Sequence, residues 1–419
     1  MFKRINPIDL ITSIFYIWWL EMKNTIKDEG VLIFFIVVPL LYPLLYSWIY
    51  NNEVVRNVPV VVVDKSHTAS SRQFITQFDA SPDVRTAYFA NSVAEAKQIV
   101  EAQKANGILY FPEDYERSLY RGEQAHVSIF CDMSLMLTYK AIYQTAMLTS
   151  LNLNKNIQKP KSFSFTQRDE ELNTEPIHVE EHAIFNTTGG YGNAILPGVL
   201  ILIIQQTLLL GIGLSAGTAR ENNRYQDLVP ISKHYNGILK IVLGKSMCYF
   251  MIYCVITAYI TLAVPRIYSF TSFVHPTDLI ALMVPYLLAV IFFGMTLSCL
   301  VRYRENIILL VVFTSVPFLF LTGLSWPQSN ISGIWQGFSW LIPSTFGVRG
   351  FLRISSMGAS LPDIEPEYQA LWIQTIVYFI ITCLVYRYQI INARKHAIAH
   401  INGIQEKIRN ERQKRLAES

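Results

Sequence analysis

Two short motifs in this 419-residue chain contain residue types that perform chemistry in enzymes. The first is HVEEH, in which His178 and His182 could bind zinc while a glutamate between them acts as a general base. That chemistry requires both histidines on one face of a helix. However, Ile177 and Val179 stand at strand spacing directly after a proline. The pattern therefore favours a strand, and a membrane zinc protease is kept only as an alternative.

The second motif is GILKIVLGKS, which ends in Gly244, Lys245 and Ser246 like a phosphate-binding loop. Such a loop needs a glycine five residues before the final one, and Leu239 occupies that position. The sequence also has no Gly-x-Ser-x-Gly elbow and no cysteine metal pair. It therefore predicts a chain without catalytic chemistry, and with no cofactor or metal of its own.

Composition indicates which elements position the polar residues. Hydrophobic residues make up 51% of the chain and charged residues 16%, which is too apolar for a soluble domain of this size. Six windows without Asp, Glu, Lys or Arg are long enough to cross a bilayer as helices. They are residues 31–50, 194–217, 246–264, 279–301, 307–326 and 368–386. We predict six transmembrane helices, with buried helices of a soluble protein as the alternative.

The distribution of Lys and Arg predicts the orientation of these helices. Residues 1–30, 218–245 and 387–419 contain four, five and eight of them. Short segments rich in Lys and Arg stay in the cytoplasm. We therefore expect both termini and segment 218–245 to be cytoplasmic, in a multi-pass protein of the inner membrane. The basic tail suits the anionic headgroups of the lipid bilayer rather than nucleic acid.

Before the first span, residues 1–30 have apolar side chains at helical spacing. Phe15, Trp18 and Trp19 would lie on one face and Lys23 on the other. The sequence predicts a helix lying in the cytoplasmic interface of the membrane. Core packing in a soluble domain is the alternative.

Residues 51–193 have the composition of a water-soluble α/β domain, and the orientation places them outside the membrane. Strands predicted at VPVVVVD, GILYFP and HVSIFCD alternate with two helices, the second of them closed by Gly107. Strands alternating with helices predict a small sheet covered by helices. Four of the five cysteines fall in predicted spans and only Cys131 lies outside, so no disulfide framework is expected.

Residues 327–367, preceded by Gly323, form a semi-apolar stretch with several tryptophans and with Pro327 and Pro343. This composition predicts short helices that enter the outer leaflet and return, because a solvated loop would be more polar.

Four stretches, taken in order, resemble the permease subunits of ABC-2 type transporters that carry a large outer domain. They are the strand and helix pattern starting at VPVVVVDKSHTASSRQFITQFDAS, the span start IFNTTGGYGNAILPGV, the loop ARENNRYQDLVPISKHYNGILKIVLGKSMCY, and FLTGLSWP with LIPSTFGVRGFLRI. The resemblance covers nearly the whole chain. It departs after Arg220 and Glu221, where the family has Gly-Thr followed by a glutamate and this chain has Asn223, Arg224 and Asp227.

The resemblance implies an exporter subunit that couples through segment 218–245 to a separate ATP-binding cassette subunit, which would bind ATP and Mg. The residues expected to couple to that ATPase are Arg220, Glu221, Arg224, Asp227, Leu228 and Lys245. A plain solvated connector is the alternative for this segment.

The resemblance also implies a second permease copy or a similar permease as partner. Apolar spans rich in Phe and Tyr suggest a hydrophobic or amphiphilic substrate, and the outer domain offers a site for an optional periplasmic adaptor with an outer-membrane channel. The alternative function is a membrane-anchored assembly or signalling protein whose outer domain binds a partner.

Overall fold

The computed structural model describes residues 7–51, 54–158, 184–186, 189–222, 228–229, 235, 237–301 and 303–417. The chain divides into two compact units, a helical unit within Met1–Glu53 and Ile184–Ser419, and an α/β unit within Val54–Ala183. The HVEEH motif and the residues Arg224 and Asp227 lie outside the described residues.

The helical unit begins with α1, Pro7–Lys27, and α2, Glu29–Ile49. Asp28 separates the two helices with extended backbone (φ −86°, ψ 109°), and its carboxylate accepts a hydrogen bond of 3.2 Å from the backbone N–H of Val31. This is an N-cap that satisfies one of the free donors at the start of a helix. One turn of α2, Ile33–Val37, is a π-helix.

The α/β unit contains a four-stranded sheet in its described part, with strand order β2-β1-β3-β4. The strands are β1 Val58–Asp64, β2 Val84–Phe89, β3 Gly107–Phe111 and β4 Ser128–Cys131, of which the first three are parallel and β4 is antiparallel to β3. The helices are α3 Ala69–Asp79, α4 Val93–Glu101, α5 Tyr115–Arg121 and α6 Met136–Gln158.

Helices cover both faces of β1, which is why this strand is a continuous run of valines. Val60 and Val62 pack in one apolar cluster with Phe78, while Val61 and Val63 pack in another on the opposite face. The prediction that α4 closes at Gly107 is wrong, because α4 ends at Glu101 and Gly107 begins β3. A glycine is needed there for close packing, since a Cβ would lie 2.9 Å from Cδ1 of Ile142.

The helical unit continues after the α/β unit with seven further helices in the described residues. They are α7 Tyr191–Asn222, α8 Ile238–Ile267, α9 Pro276–Leu300, α10 Arg304–Leu321, α11 Gly333–Ser339, α12 Pro343–Met357 and α13 Glu365–Ala417. Among the described residues of the whole chain, six helical segments are long and apolar enough to cross a membrane: α2, α7, α8, α9, α10 and Leu361–His396. These six candidate spans fit the predicted polytopic helical membrane protein.

The helices are longer than the charge-free windows from which they were predicted. Helix α7 runs five residues past Gly217 to Asn222, and α13 runs from Glu365 to Ala417. A helix continues wherever its backbone hydrogen bonds are satisfied within the helix, whereas charge marks only the edge of the apolar layer.

Close packing of α7 against two neighbouring spans depends on glycine. A Cβ at Gly211 would lie 1.4 Å from the ring of Phe35 in α2, and one at Gly213 would lie 2.1 Å from Ile307 in α10. Small residues of this kind let helix backbones approach each other in membranes. Helix α7 therefore forms the centre of the helical unit, with α2 and α10 seated directly on its backbone.

Candidate functional site: a polar junction at the helix ends

Charged and polar side chains gather where one end of α1, α2, α7, α8 and α10 meet. We call this cluster the polar junction, and its members are Glu21, Asp28, Ser215, Thr218, Lys245, Tyr249 and Arg304. They lie on α1, α7, α8 and α10 and at the N-cap of α2, so the junction ties five helices together. Of the described positions expected for coupling, Lys245 belongs to the junction, Glu221 contacts its member Arg304, and Leu228 lines the cavity beside it.

The carboxylate of Glu21 is the first centre of the junction. It lies 2.7 Å from Nζ of Lys245 in α8, and both residues are buried, with 3% and 5% of their surface exposed. Ser215 of α7 donates a hydrogen bond of 2.9 Å to the same carboxylate, and the hydroxyl of Tyr249 donates a third. Glu21 therefore binds α1 to both α7 and α8.

The electrostatics of Glu21 follow from these contacts. Burial disfavours the charged carboxylate, but the charge and hydrogen bond of Lys245, together with the two hydroxyl donors, hold the pKa of Glu21 below its ordinary value of 4.5. Glu21 is therefore ionised at neutral pH and forms a true ion pair.

Asp28 is the second centre of the junction. One guanidinium nitrogen of Arg304 donates to both carboxylate oxygens, at 2.8 and 3.1 Å, and the hydroxyl of Thr218 also donates to Asp28. Partial burial opposes ionisation, but the bonds from Thr218, Val31 and Arg304 lower the pKa of Asp28. The cap of α2 is thereby fastened to α7 and to the first residue of α10.

Arg304 links this second centre to the exposed end of α7. Its guanidinium lies 3.7 Å from the carboxylate of Glu221, whose side chain is 55% exposed. Arg304 also packs over Gly217, where a Cβ would lie 2.6 Å from its Cγ. A continuous series of ion pairs therefore runs from the solvent-exposed Glu221, through Arg304, to the N-cap of α2.

Arg220 takes a different role from the neighbouring Glu221. It is buried, and its guanidinium donates to the backbone carbonyl of Cys299 at 3.1 Å and to that of Val301. These carbonyls end α9 and have no partner within the helix, and a cation at that position also complements the helix dipole. Arg220 therefore caps α9.

A cavity of about 560 Å³ lies beside the junction. Its wall includes the side chains of both ionic centres together with Leu228 and Tyr235 from the segment after α7. Leu228, one of the residues expected to couple, is buried at this wall.

The remaining candidate residues lie apart from the junction. Phe15 and Trp19 are exposed on α1, Trp18 is half-buried, and Lys23 is exposed. In the segment predicted to be re-entrant, Gly323 has the left-handed backbone (φ +85°) that favours glycine. Pro327 precedes the short 3₁₀ turn Gln328–Asn330, and Pro343 is the buried first residue of α12.

Sequence reasoning selected Lys245 but missed its partner Glu21, and it missed Asp28, Tyr249 and Arg304. Glu21 had the appearance of one more polar residue on an amphipathic helix. The signal that could have found it is its place on the helical face of the buried Ile17, rather than on that of the exposed Lys23.

A comparison with protein families matches residues 30–384 to the ABC-2 family transporter proteins. The chain belongs to the ABC-2 transporter family. The match includes five of the seven junction residues listed above but begins after α1 and Asp28, so the Glu21–Lys245 pair joins a helix outside the match to a span inside it.

A search of curated proteins found no match to the permease. Family membership makes the chain a transporter permease subunit and a multi-pass membrane protein, and it implies an ATPase partner. The family is the membrane component of such transporters and is generally not catalytic itself.

Proposed function

We propose that this permease is the membrane subunit of an ATP-driven exporter that moves a hydrophobic or amphiphilic substrate out of the cytoplasm or the inner leaflet. A separate ATP-binding cassette subunit binds ATP and Mg and docks on segment 218–245. The permease lies in the inner membrane with both termini in the cytoplasm and the α/β unit outside, where an adaptor leading to an outer-membrane channel can dock. It pairs with a second copy or a similar permease.

The polar junction is the observation that supports this proposal most directly. An exporter of this kind must transmit the motion of a soluble motor into spans that contain few charges. The series Glu221, Arg304 and Asp28 provides such a route, because its first member is exposed and its last member caps a span. The hydrogen bonds from Arg304 to Asp28 are charged and directional, so a movement of Glu221 that shifts Arg304 changes how α2 is held.

The exposure of Glu221 distinguishes it from the expected coupling residues that hold the helices of the permease together. Arg220 and Lys245 are buried and hold helices of the permease itself, whereas Glu221 is available to a partner. Among the described residues predicted for coupling, Glu221 is therefore the one proposed to touch the ATPase, while Leu228, Arg220 and Lys245 support the surface from within.

The experiment is to replace Glu221 by alanine and purify the permease in lipid nanodiscs with its associated ATPase. An exposed ion pair contributes about 0.2 to 1 kcal/mol, so Glu221→Ala should leave the permease folded. We expect less bound ATPase and slower MgATP hydrolysis by the complex. Glu305→Ala is the matched control, because Glu305 is an exposed carboxylate in the first turn of α10.

Equal ATPase binding and hydrolysis in the wild type and in Glu221→Ala would contradict this role for Glu221. Purification without any ATPase would instead favour the membrane-anchored assembly or signalling protein.

A further inference from the structure

We propose that α1 is a hinged lever and that the Glu21–Lys245 ion pair is the latch that releases it during the transport cycle. This inference rests on the proposed function, since the ATPase supplies the motion. It goes further by naming the contact that must break and the point about which α1 turns.

The energetics of the buried Glu21–Lys245 pair suit a latch. Removing two charges from water costs free energy that their attraction in the interior offsets only in part, so a buried ion pair adds little net stability. The Glu21–Lys245 pair lies between two helices and has good geometry, with the two atoms 2.7 Å apart. Its role is therefore to specify one position of α1 on α8, and its two charges can be separated where each of them is hydrated.

The Glu21–Lys245 pair lies against the cavity of about 560 Å³. Glu21 and Lys245 both form part of its wall, together with Asn24 and Lys27. If the pair separates, each charge faces this space and can be hydrated there rather than left in an apolar interior. Hydration lowers the main cost of opening a buried ion pair.

A hinge lies at Asp28, between α1 and α2. Asp28 interrupts the helical backbone between α1 and α2, and Arg304 and Thr218 hold its side chain to other helices. The pivot is therefore fixed, and α1 can turn about it once its contacts with α8 open. Hinges of this kind are a few residues at the ends of elements that absorb a change in φ and ψ.

The contact surface between α1 and α8 contains a glycine at the point of close approach. Gly244 lies directly under α1, where a Cβ would be 2.9 Å from Cβ of Ile17 and 3.0 Å from the carbonyl oxygen of Ile14. Because Gly244 has no side chain, it does not obstruct a movement of α1 across α8. Nearer the start of α8, Lys240 donates to the hydroxyl of Ser13 and to the carbonyl of Asp9, both at 3.2 Å, so polar bonds hold α1 along its length.

The test is a reversible lock across the latch. In a permease whose five native cysteines are replaced by alanine, Ile17→Cys with Gly244→Cys places two thiols at the closest approach of α1 and α8. We expect oxidation to lower MgATP hydrolysis by the nanodisc complex by about tenfold, because a required conformational step is blocked, and reduction to restore it. Equal activity in the oxidised and reduced forms would overturn the latch.

The control lock is Thr296→Cys with Thr382→Cys, whose hydroxyls lie 3.0 Å apart between α9 and α13. This pair lies away from the hinge, and its oxidation should leave hydrolysis unchanged. Loss of activity with both locks would overturn the specific role of α1.

A second measurement does not depend on the lock forming. Spin labels at Lys23→Cys on α1 and Val312→Cys on α10, both exposed, report the position of the lever. We expect their distance to shift by about 5 Å between the nucleotide-free complex and the complex with MgATP and vanadate. Identical distance distributions would overturn the latch while leaving the exporter intact, whereas a complex without ATP hydrolysis would overturn both proposals.

Discussion

The carboxylate of Glu21 and the ammonium of Lys245 lie 2.7 Å apart although 224 residues separate them in the sequence. One belongs to the first helix of the chain and the other to a candidate span that follows the α/β unit in the sequence. The pair is buried and also accepts bonds from Ser215 and Tyr249 through the carboxylate. It makes the first helix an integral part of the helical unit.

Neutralising one partner of this pair should destabilise the permease strongly. Glu21→Gln leaves the ammonium of Lys245 buried without a counter-charge, which costs about 3 to 5 kcal/mol in comparable buried pairs. The measurement is the midpoint of unfolding in detergent with a graded denaturant. If Glu21→Gln lowered the stability by less than the loss of an exposed ion pair does, the result would contradict the burial of the Glu21–Lys245 pair.

The double variant Glu21→Met with Lys245→Met is the control for this prediction. Replacing both charges by apolar groups of similar volume removes the desolvation cost together with the attraction, so stability should return to within about 1.5 kcal/mol of the wild type. Coupling to the ATPase should nevertheless stay impaired, because the specific position of α1 is lost.

Arg220→Met should weaken the fold rather than the ATPase contact. The variant leaves the carbonyls of Cys299 and Val301 without their donor at the end of α9. Losing a partner for buried polar groups costs about 1 to 3 kcal/mol. We expect a lower unfolding midpoint with the same amount of ATPase bound per folded permease, and a selective loss of binding would instead place Arg220 at the partner surface.

Gly211→Ala should disturb the contact between α7 and α2. The new Cβ would lie 1.4 Å from the ring of Phe35, so the helices must separate or the ring must move, and overpacking costs typically about 1 to 3 kcal/mol. Gly337→Ala is the matched control, since nothing lies within 4 Å of the added Cβ there. Thermal unfolding should distinguish the two, and Phe35→Leu should partly rescue Gly211→Ala.

Cys131 should react slowly with maleimide at neutral pH. Burial raises the pKa of its thiol to about 11, so the reactive thiolate is scarce near pH 7 and increases about tenfold per pH unit on approach to the pKa. Labelling rates of a variant that keeps only this cysteine, measured at several pH values, test the prediction. A rate that saturates near pH 8 would show an ordinary exposed thiol.

Sequence patterns predicted the spans because long charge-free runs such as those in α7 and α9 are typical of helices that cross a membrane. They predicted β1 because VPVVVVD is a short β-branched run. They could not predict that Lys245 faces Glu21 or that Arg304 holds Asp28, since both pairs join distant parts of the chain. Nor do the π-helical turns in α2 and α8 leave a signature in residue type.

Arg220 and Glu221 show the same limit at the site. The two neighbours look alike in a polar segment, but their directions on α7 differ by about 100°, so one points inward and the other outward. Which of the two is buried depends on where α9 ends, and that is a property of the packed helices.

The central claim is that the exposed end of α7 meets a motor on the cytoplasmic side. The most direct measurement is labelling of Glu221→Cys, in a permease whose native cysteines are replaced, with a maleimide that cannot cross membranes. We expect this cysteine to stay unlabelled in intact cells and to be labelled in inside-out vesicles. We also expect bound ATPase to protect it. Labelling in intact cells would put Glu221 on the outer side, where no ATP-driven partner can reach it, and would contradict the account.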